Sequence, residues 1–194
     1  MALTFPNSPA NYRAFFEAIS RAHPNVMHNP QAGIMRFWEI NYLDFPYNDW
    51  DFEEWDKAVS SKISITGNEF PKQQGMAILS FETGDGKQEG FTVQASVLFF
   101  TKPRKNIKDA ADYFVAKTEC HQATYETALD VKKLIRAYFR SNAQGYLEPN
   151  TFRTINVRMP QTTNAMYGTR LDFTYGFYHN HKYTANNWAE DLLA

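Results

Sequence analysis

From Phe91 to Thr101 the chain alternates: Phe91, Val93, Ala95, Val97 and Phe99 are apolar, while Thr92, Gln94 and Ser96 between them are polar. A period of two over this length describes a strand with one buried and one wetter face, and such a strand needs neighbours. Its first neighbour lies upstream. Met76 to Glu82 reads as a strand, and Thr83-Gly84-Asp85-Gly86-Lys87 joins it to a strand over Gln88 to Thr101 through an Asp-Gly pair suited to a tight hairpin. Two more strands are predicted at Phe152 to Met159 and Thr169 to Tyr178, with the polar stretch Pro160 to Gly168 as their turn. Another covers Ile34 to Leu43, where Ile34, Trp38, Ile40 and Tyr42 share a parity, and a short signal stands at Ile63 to Thr66.

Three segments change period. Ser8-Pro9 opens a helix over 9–22, with Ser as N-cap, Pro at the first helical position, and Tyr12, Phe15, Phe16 and Ile19 on one stripe. His23-Pro24 ends it, because the residue before proline leaves the α region. A central helix pair follows the Phe91–Thr101 strand. The first, capped by Asn106 and running to Lys117, turns Ile107, Ala110, Ala111 and Phe114 inward. The second covers 119–142 with Ala128, Val131, Ile135 and Tyr138 inward, and Gly145 is its end signal. The expected fold is therefore α+β: a mainly antiparallel sheet packed against an N-terminal helix and a central helix pair, with extended terminal arms. All 194 residues form one domain, with an arm at 1–7, an irregular excursion at 44–75 and a polar tail at 179–194.

Composition narrows the class. The 20 basic and 21 acidic side chains leave a net charge of −1, which argues against a basic nucleic-acid arm or an acidic solvating tail. A single Cys rules out a disulfide framework and multi-Cys metal sites. The start of the chain has no charged-then-apolar secretory pattern, and the Phe91–Thr101 run is too short to span a bilayer, so a soluble intracellular protein without membrane contact is expected. The 31 aromatic side chains outnumber the 26 Leu, Ile and Val. Either neighbouring copies cover much of the surface, or the core itself is aromatic.

The sequence contains no Gly-x-Gly-x-x-Gly, P-loop, Gly-x-Ser-x-Gly or His-Glu-x-x-His, so no catalytic residue, cofactor or metal ligand is assigned and a non-enzymatic role is expected. Cys120 and His121 adjoin in sequence but point about 100° apart on a helix, which does not build a nucleophile–base pair. His179 and His181 sit at i, i+2 with no third metal ligand spaced to join them. Asp49, Asp51, Glu53, Glu54 and Asp56 interleave with Trp50, Phe52 and Trp55; this suits an anchor for a basic partner surface, or a solvated loop packing its own rings, and lacks the order of a calcium loop. Trp188 is a further candidate anchor in the tail. Lys132, Arg136 and Arg140 form a basic helix stripe at i+4 spacing, and Lys102, Arg104, Lys105 and Lys108 form a second cluster. Either is a solvated face or a surface for DNA phosphate or an acidic neighbour, including the 49–56 segment of another copy.

An N-terminal helix, a hairpin ending in the Phe91–Thr101 strand, a long helix ending at Asn142, and late strands around Thr169-Arg170-Leu171-Asp172-Phe173 resemble, in that order, the tail-terminator or tail-completion (neck) proteins of tailed phages. The similarity runs from Tyr12 to Tyr178. The resemblance implies a virion structural protein, assembled in the host cytoplasm and without catalysis. It implies a ring-forming subunit, often a hexamer, that caps the tail tube and docks to the head-side connector. Its partners would be copies of itself, neighbouring tail-tube and connector proteins, and transiently DNA in the lumen, which Arg153, Arg158 and Arg170 would line. Two other readings stay open: a small enzyme using the 49–56 carboxylates or His179 and His181, and a monomeric binding module with an aromatic surface.

Overall fold

The computed structural model describes residues 3–40, 73–79, 81–85, 90–103, 108–159 and 166–178. Helix α1 spans Pro9–Ala22; its Ser8 cap accepts from the Asn11 N–H, and Tyr12, Phe15, Phe16 and Ile19 are buried as the stripe predicts. Strands follow at β1 (Phe37–Ile40), β2 (Gly75–Leu79), β3 (Thr83–Asp85) and β4 (Gly90–Thr101). After the long helix α2 (Ala110–Ser141) come β5 (Gly145–Leu147), β6 (Arg153–Met159) and β7 (Met166–Tyr178). The class is α+β with a mixed, mostly antiparallel seven-stranded sheet, in which, among the described residues, only the β1–β2 pair is parallel.

The long strands β4 and β7 pair over twelve residues, from Gly90 opposite Tyr178 to Thr101 opposite Tyr167, and form the spine of the sheet. Beyond β4 lie β2 and β3. Ile78 pairs with Val97 and Thr83 with Val93, so this side carries one residue more than β4 does, the count of a β-bulge. On the far side of β7, β5 pairs with Tyr175 to Phe177 and β6 with Met166 to Asp172. The intervening loop is strapped to β7 by Glu148 N–H on Thr174 O (3.0 Å) and Thr174 N–H on Thr151 Oγ1 (3.0 Å).

The two described α-helices cover one face. Val93, Ala95, Val97 and Phe99 of β4 and Leu171, Phe173, Tyr175 and Phe177 of β7 meet Phe15, Phe16 and Ile19 of α1 and Val131, Ile135 and Phe139 of α2. The rings pack edge-on or tilted, as Phe15 with Phe16 (5.1 Å) and Phe139 with Tyr175 (5.1 Å). Much of the aromatic excess is thus spent inside the chain's own core. Phe5 belongs to it too: the part of the N-terminal arm described, Leu3 onward, lies on its own domain, with Pro6 O accepting from the buried Tyr175 hydroxyl (2.6 Å).

Several expectations are corrected. The central helix pair is one unbroken helix of 32 residues, because nothing between Asp109 and Asn142 breaks it, and Asp109 rather than Asn106 caps it by accepting from the Asp112 N–H. Continuity fixes the phase: Ala116, Cys120, Ala123, Thr127, Val131 and Ile135 form the buried line, and Phe114 falls off it to stand 64 % exposed. Ala110 and Ala111 are exposed as well. The first strand begins at Phe37, since Ile34 exchanges backbone bonds with Asn29 to close a short loop. Gly145 starts β5 instead of only ending a helix; a Cβ there would collide with Gly176 O and the Phe5 ring. The expected Pro160 to Gly168 turn is shorter, since Met166 to Gly168 already belong to β7 and pair with β6; its residues 160–165, the segment Tyr42 to Pro71, Arg104 to Ile107 and the 179–194 tail lie outside the described residues.

Candidate functional site

Residues directly opposite in a sheet share a face, so the register alone groups side chains on the face away from the helices. One row reads Ser96 on β4, Asp172 on β7 and Arg153 on β6. The next rows are Leu98, Arg170 and Ile155 on one side, and Gln94 with Thr174 on the other. A carboxylate therefore stands between a hydroxyl and two guanidinium groups. Ser96 Oγ donates to Asp172 Oδ1 (2.6 Å), and Arg170 donates from Nε (3.1 Å) and Nη2 (2.9 Å) to Oδ2. Arg153 has no ion-pair partner among the described residues. With Asn150, Thr151 and Leu79 these groups line an open groove of about 410 Å³. Asn150 holds a left-handed backbone (φ 60°) at its rim, a conformation Asn tolerates. Among the described lining residues, two cations stand against one anion.

The predicted lumen set is divided by this arrangement. Arg153 and Arg170 converge in the groove, whereas Arg158 lies opposite Tyr167 on the helix-covered face. A single surface therefore presents two of the three. Gln94, Ser96, Asp172 and Thr174 were missed, although they are the polar parity of strands recognised as strands; finding them required knowing which residue of β4 faces which of β7.

The basic stripe on α2 is partly occupied within the chain. Lys132 Nζ and the Arg136 guanidinium sit over the Phe152 ring at 5.3 Å and 5.0 Å, and Phe152 stacks on Phe173 at 5.1 Å. Arg140 is exposed. Trp50, Phe52, Trp55 and Trp188 lie outside the described residues, as do His179 and His181.

Helix α2 carries the Cys120–His121 pair in two directions. Cys120 is fully buried, and desolvation pushes its thiol up to about 12, so no thiolate forms near neutrality. His121 Nδ1 lies 3.0 Å from Gly168 O, and burial lowers its pKa from 6.5 against that bond. A second groove, about 370 Å³, runs between Thr118, His121, Gln122 and Tyr125 on α2 and Thr154 and Asn156 on β6. Among the described residues no three His, Cys, Asp or Glu side chains gather to hold a metal, and no helix is long and apolar enough to cross a membrane.

No protein-family model matches this chain, and none of the curated proteins matches it in sequence.

Proposed function

We propose that this chain is a structural assembly subunit, a ring-forming neck or tail-terminator protein of a tailed-phage virion that caps the tail tube and docks to the head-side connector. What supports the reading is the order of its elements together with one observation that suits a self-associating subunit, the seven-residue strand β6, which among the described residues pairs along one side only. An open strand of this length is a template for joining another chain. Ring closure needs head-to-tail contacts between copies, for which the acidic aromatic segment 49–56 and the basic residues Lys132, Arg136 and Arg140 are complementary in charge. In such a ring Arg153 and Arg170 would face passing DNA. Negative-stain imaging of the purified chain, alone and with tail tubes, tests this: closed rings of uniform diameter are expected, and particles of single-chain size under both conditions contradict it.

The polar groove favours a second reading, a module that binds a small oxyanion. The excess of one cation among its described lining residues suits a singly charged carboxylate or phosphate ester. Calorimetric titration with inorganic phosphate is expected to show saturable heat that Arg153→Ala abolishes; no heat beyond dilution removes this reading.

A further inference from the structure

We propose that the open edge of β6 docks a second copy of this chain, which lays its own β6 antiparallel to the first and continues the sheet across a two-fold axis at Asn156. Among the described residues the strand pairs with β7 alone, along one side. Every second residue of such a strand turns its N–H and C=O outward, and soluble proteins normally cover, break or shorten an edge like this. Here Thr154, Ile155 and Asn156 are exposed, no proline or glycine interrupts the strand, and Thr154, Ile155 and Val157 are β-branched.

The register explains why a second copy fits. A two-fold axis that keeps the sheet continuous stands perpendicular to it, so opposed residues share a face. Centred on Asn156, the midpoint, the pairing uses the whole strand. Ile155 lies opposite Val157 of the second copy, Thr154 opposite Arg158, and Arg153 opposite Met159. No arginine faces an arginine. The two Arg158 side chains stand four residues apart along the strands, roughly 13 Å, beyond the screening length of about 8 Å at physiological salt.

A stable interface buries roughly 800 Å² per partner, more than a strand edge alone, and the exposed side of helix α2 next to β6 extends the surface. Phe114, Thr118 and Tyr125, at i, i+4 and i+11, form one strip that runs beside β6. Its Thr118 to Tyr125 stretch walls the groove against Thr154 and Asn156. Phe114 is level with Arg158, because neighbouring Tyr113 bonds the hydroxyl of Tyr167, the cross-strand partner of Arg158. Phe114 (64 % exposed) and Tyr125 (37 %) stand on this strip, and Ile155 (39 %) stands on the strand's other face. A second copy covers them.

Self-pairing makes a sharp test, because the residue on the axis meets itself. Opposed Cα atoms in an antiparallel pair lie about 4.5–5.5 Å apart, within the reach of a disulfide. The expected result is that Asn156→Cys alone gives a covalent dimer with oxidised glutathione. Thr154→Cys alone does not, whereas a mixture of Thr154→Cys and Arg158→Cys chains does. Native Cys120, fully buried, stays out of the reaction. Asn156→Pro, which removes an N–H, is expected to raise the dimer Kd about tenfold or more. An Asn156→Cys chain that stays uncrosslinked, or crosslinks less than Ile155→Cys or Val157→Cys, overturns the proposal. This contact joins copies in pairs, while a ring needs a separate head-to-tail contact. An uncrosslinked chain that still closes into a ring therefore overturns the pairing alone, and a chain that stops at the covalent dimer overturns the ring alone.

Discussion

The two faces of β4 and β7 are made from alternate residues of the same strands. On the covered face Leu171, Phe173, Tyr175 and Phe177 meet both helices, and their rings interlock with those of α1 and α2. On the other, Arg170, Asp172 and Thr174 meet Ser96, Gln94 and Arg153 around an open groove. Between Arg170 and Tyr175 one parity of β7 packs into the core and the other lines the groove, while nearer Met166 the second face carries an apolar cluster of its own with Leu98 and Phe100. A substitution between Arg170 and Tyr175 should therefore act on stability at the odd positions and on recognition at the even ones, whereas even-numbered Met166, fully buried, belongs with the stabilising set.

The largest expected effect is on the covered face. Phe16→Ala removes a fully buried ring among Tyr12, Phe15 and Phe173 and is expected to cost about 3–5 kcal/mol in denaturant unfolding. A cost below about 1 kcal/mol would show that this face is not the core. pH comes next. His23, His28 and His121 are all held below 6.5 in the folded chain, chiefly by burial. Just under that value the unfolded chain binds protons that the folded chain refuses, so stability is full above it and falls as pH drops through it. His121→Gln should flatten part of this dependence; an unchanged slope in urea midpoints would remove His121 from the account.

Smaller effects belong to the open face. Asp172→Ala leaves Ser96 and Arg170 without their shared acceptor. Because Arg170 is 40 % exposed, solvent screens much of the pair, and a loss of only about 0.5–1 kcal/mol is expected. A loss as large as that of Phe16→Ala would erase the contrast between the faces. Phe152→Leu removes the ring under Lys132 and Arg136 but keeps apolar bulk, and should cost about 0.5 kcal/mol at this partly exposed site, read as a small shift in Tm.

The contrast itself was half legible in the sequence. The alternation of Phe91 to Phe99 announced a two-faced strand, and Ser8-Pro9 with its one-sided stripe placed α1 to the residue. Periodicity identifies a face without saying what lies across from it. Ser96, Asp172 and Arg153 are separated by up to 76 positions and become one row only through the pairing of β4, β7 and β6. Phe114 shows the converse. Its local spacing suited a short amphipathic helix, but once α2 continued past Lys117 the longer buried line set the phase and turned Phe114 outward. The three-residue β5 has too little sequence to carry a period, and Gly145 there answers to the Phe5 ring and to Gly176 O, contacts that no local pattern contains.

The central claim is that this chain is built to join copies of itself. The most direct measurement is its mass in solution by light scattering over a concentration series. A discrete multimer is expected, with Asn156→Pro shifting the distribution toward smaller species while leaving the fold intact by circular dichroism. A strict monomer at every concentration, unchanged by Asn156→Pro, would contradict it.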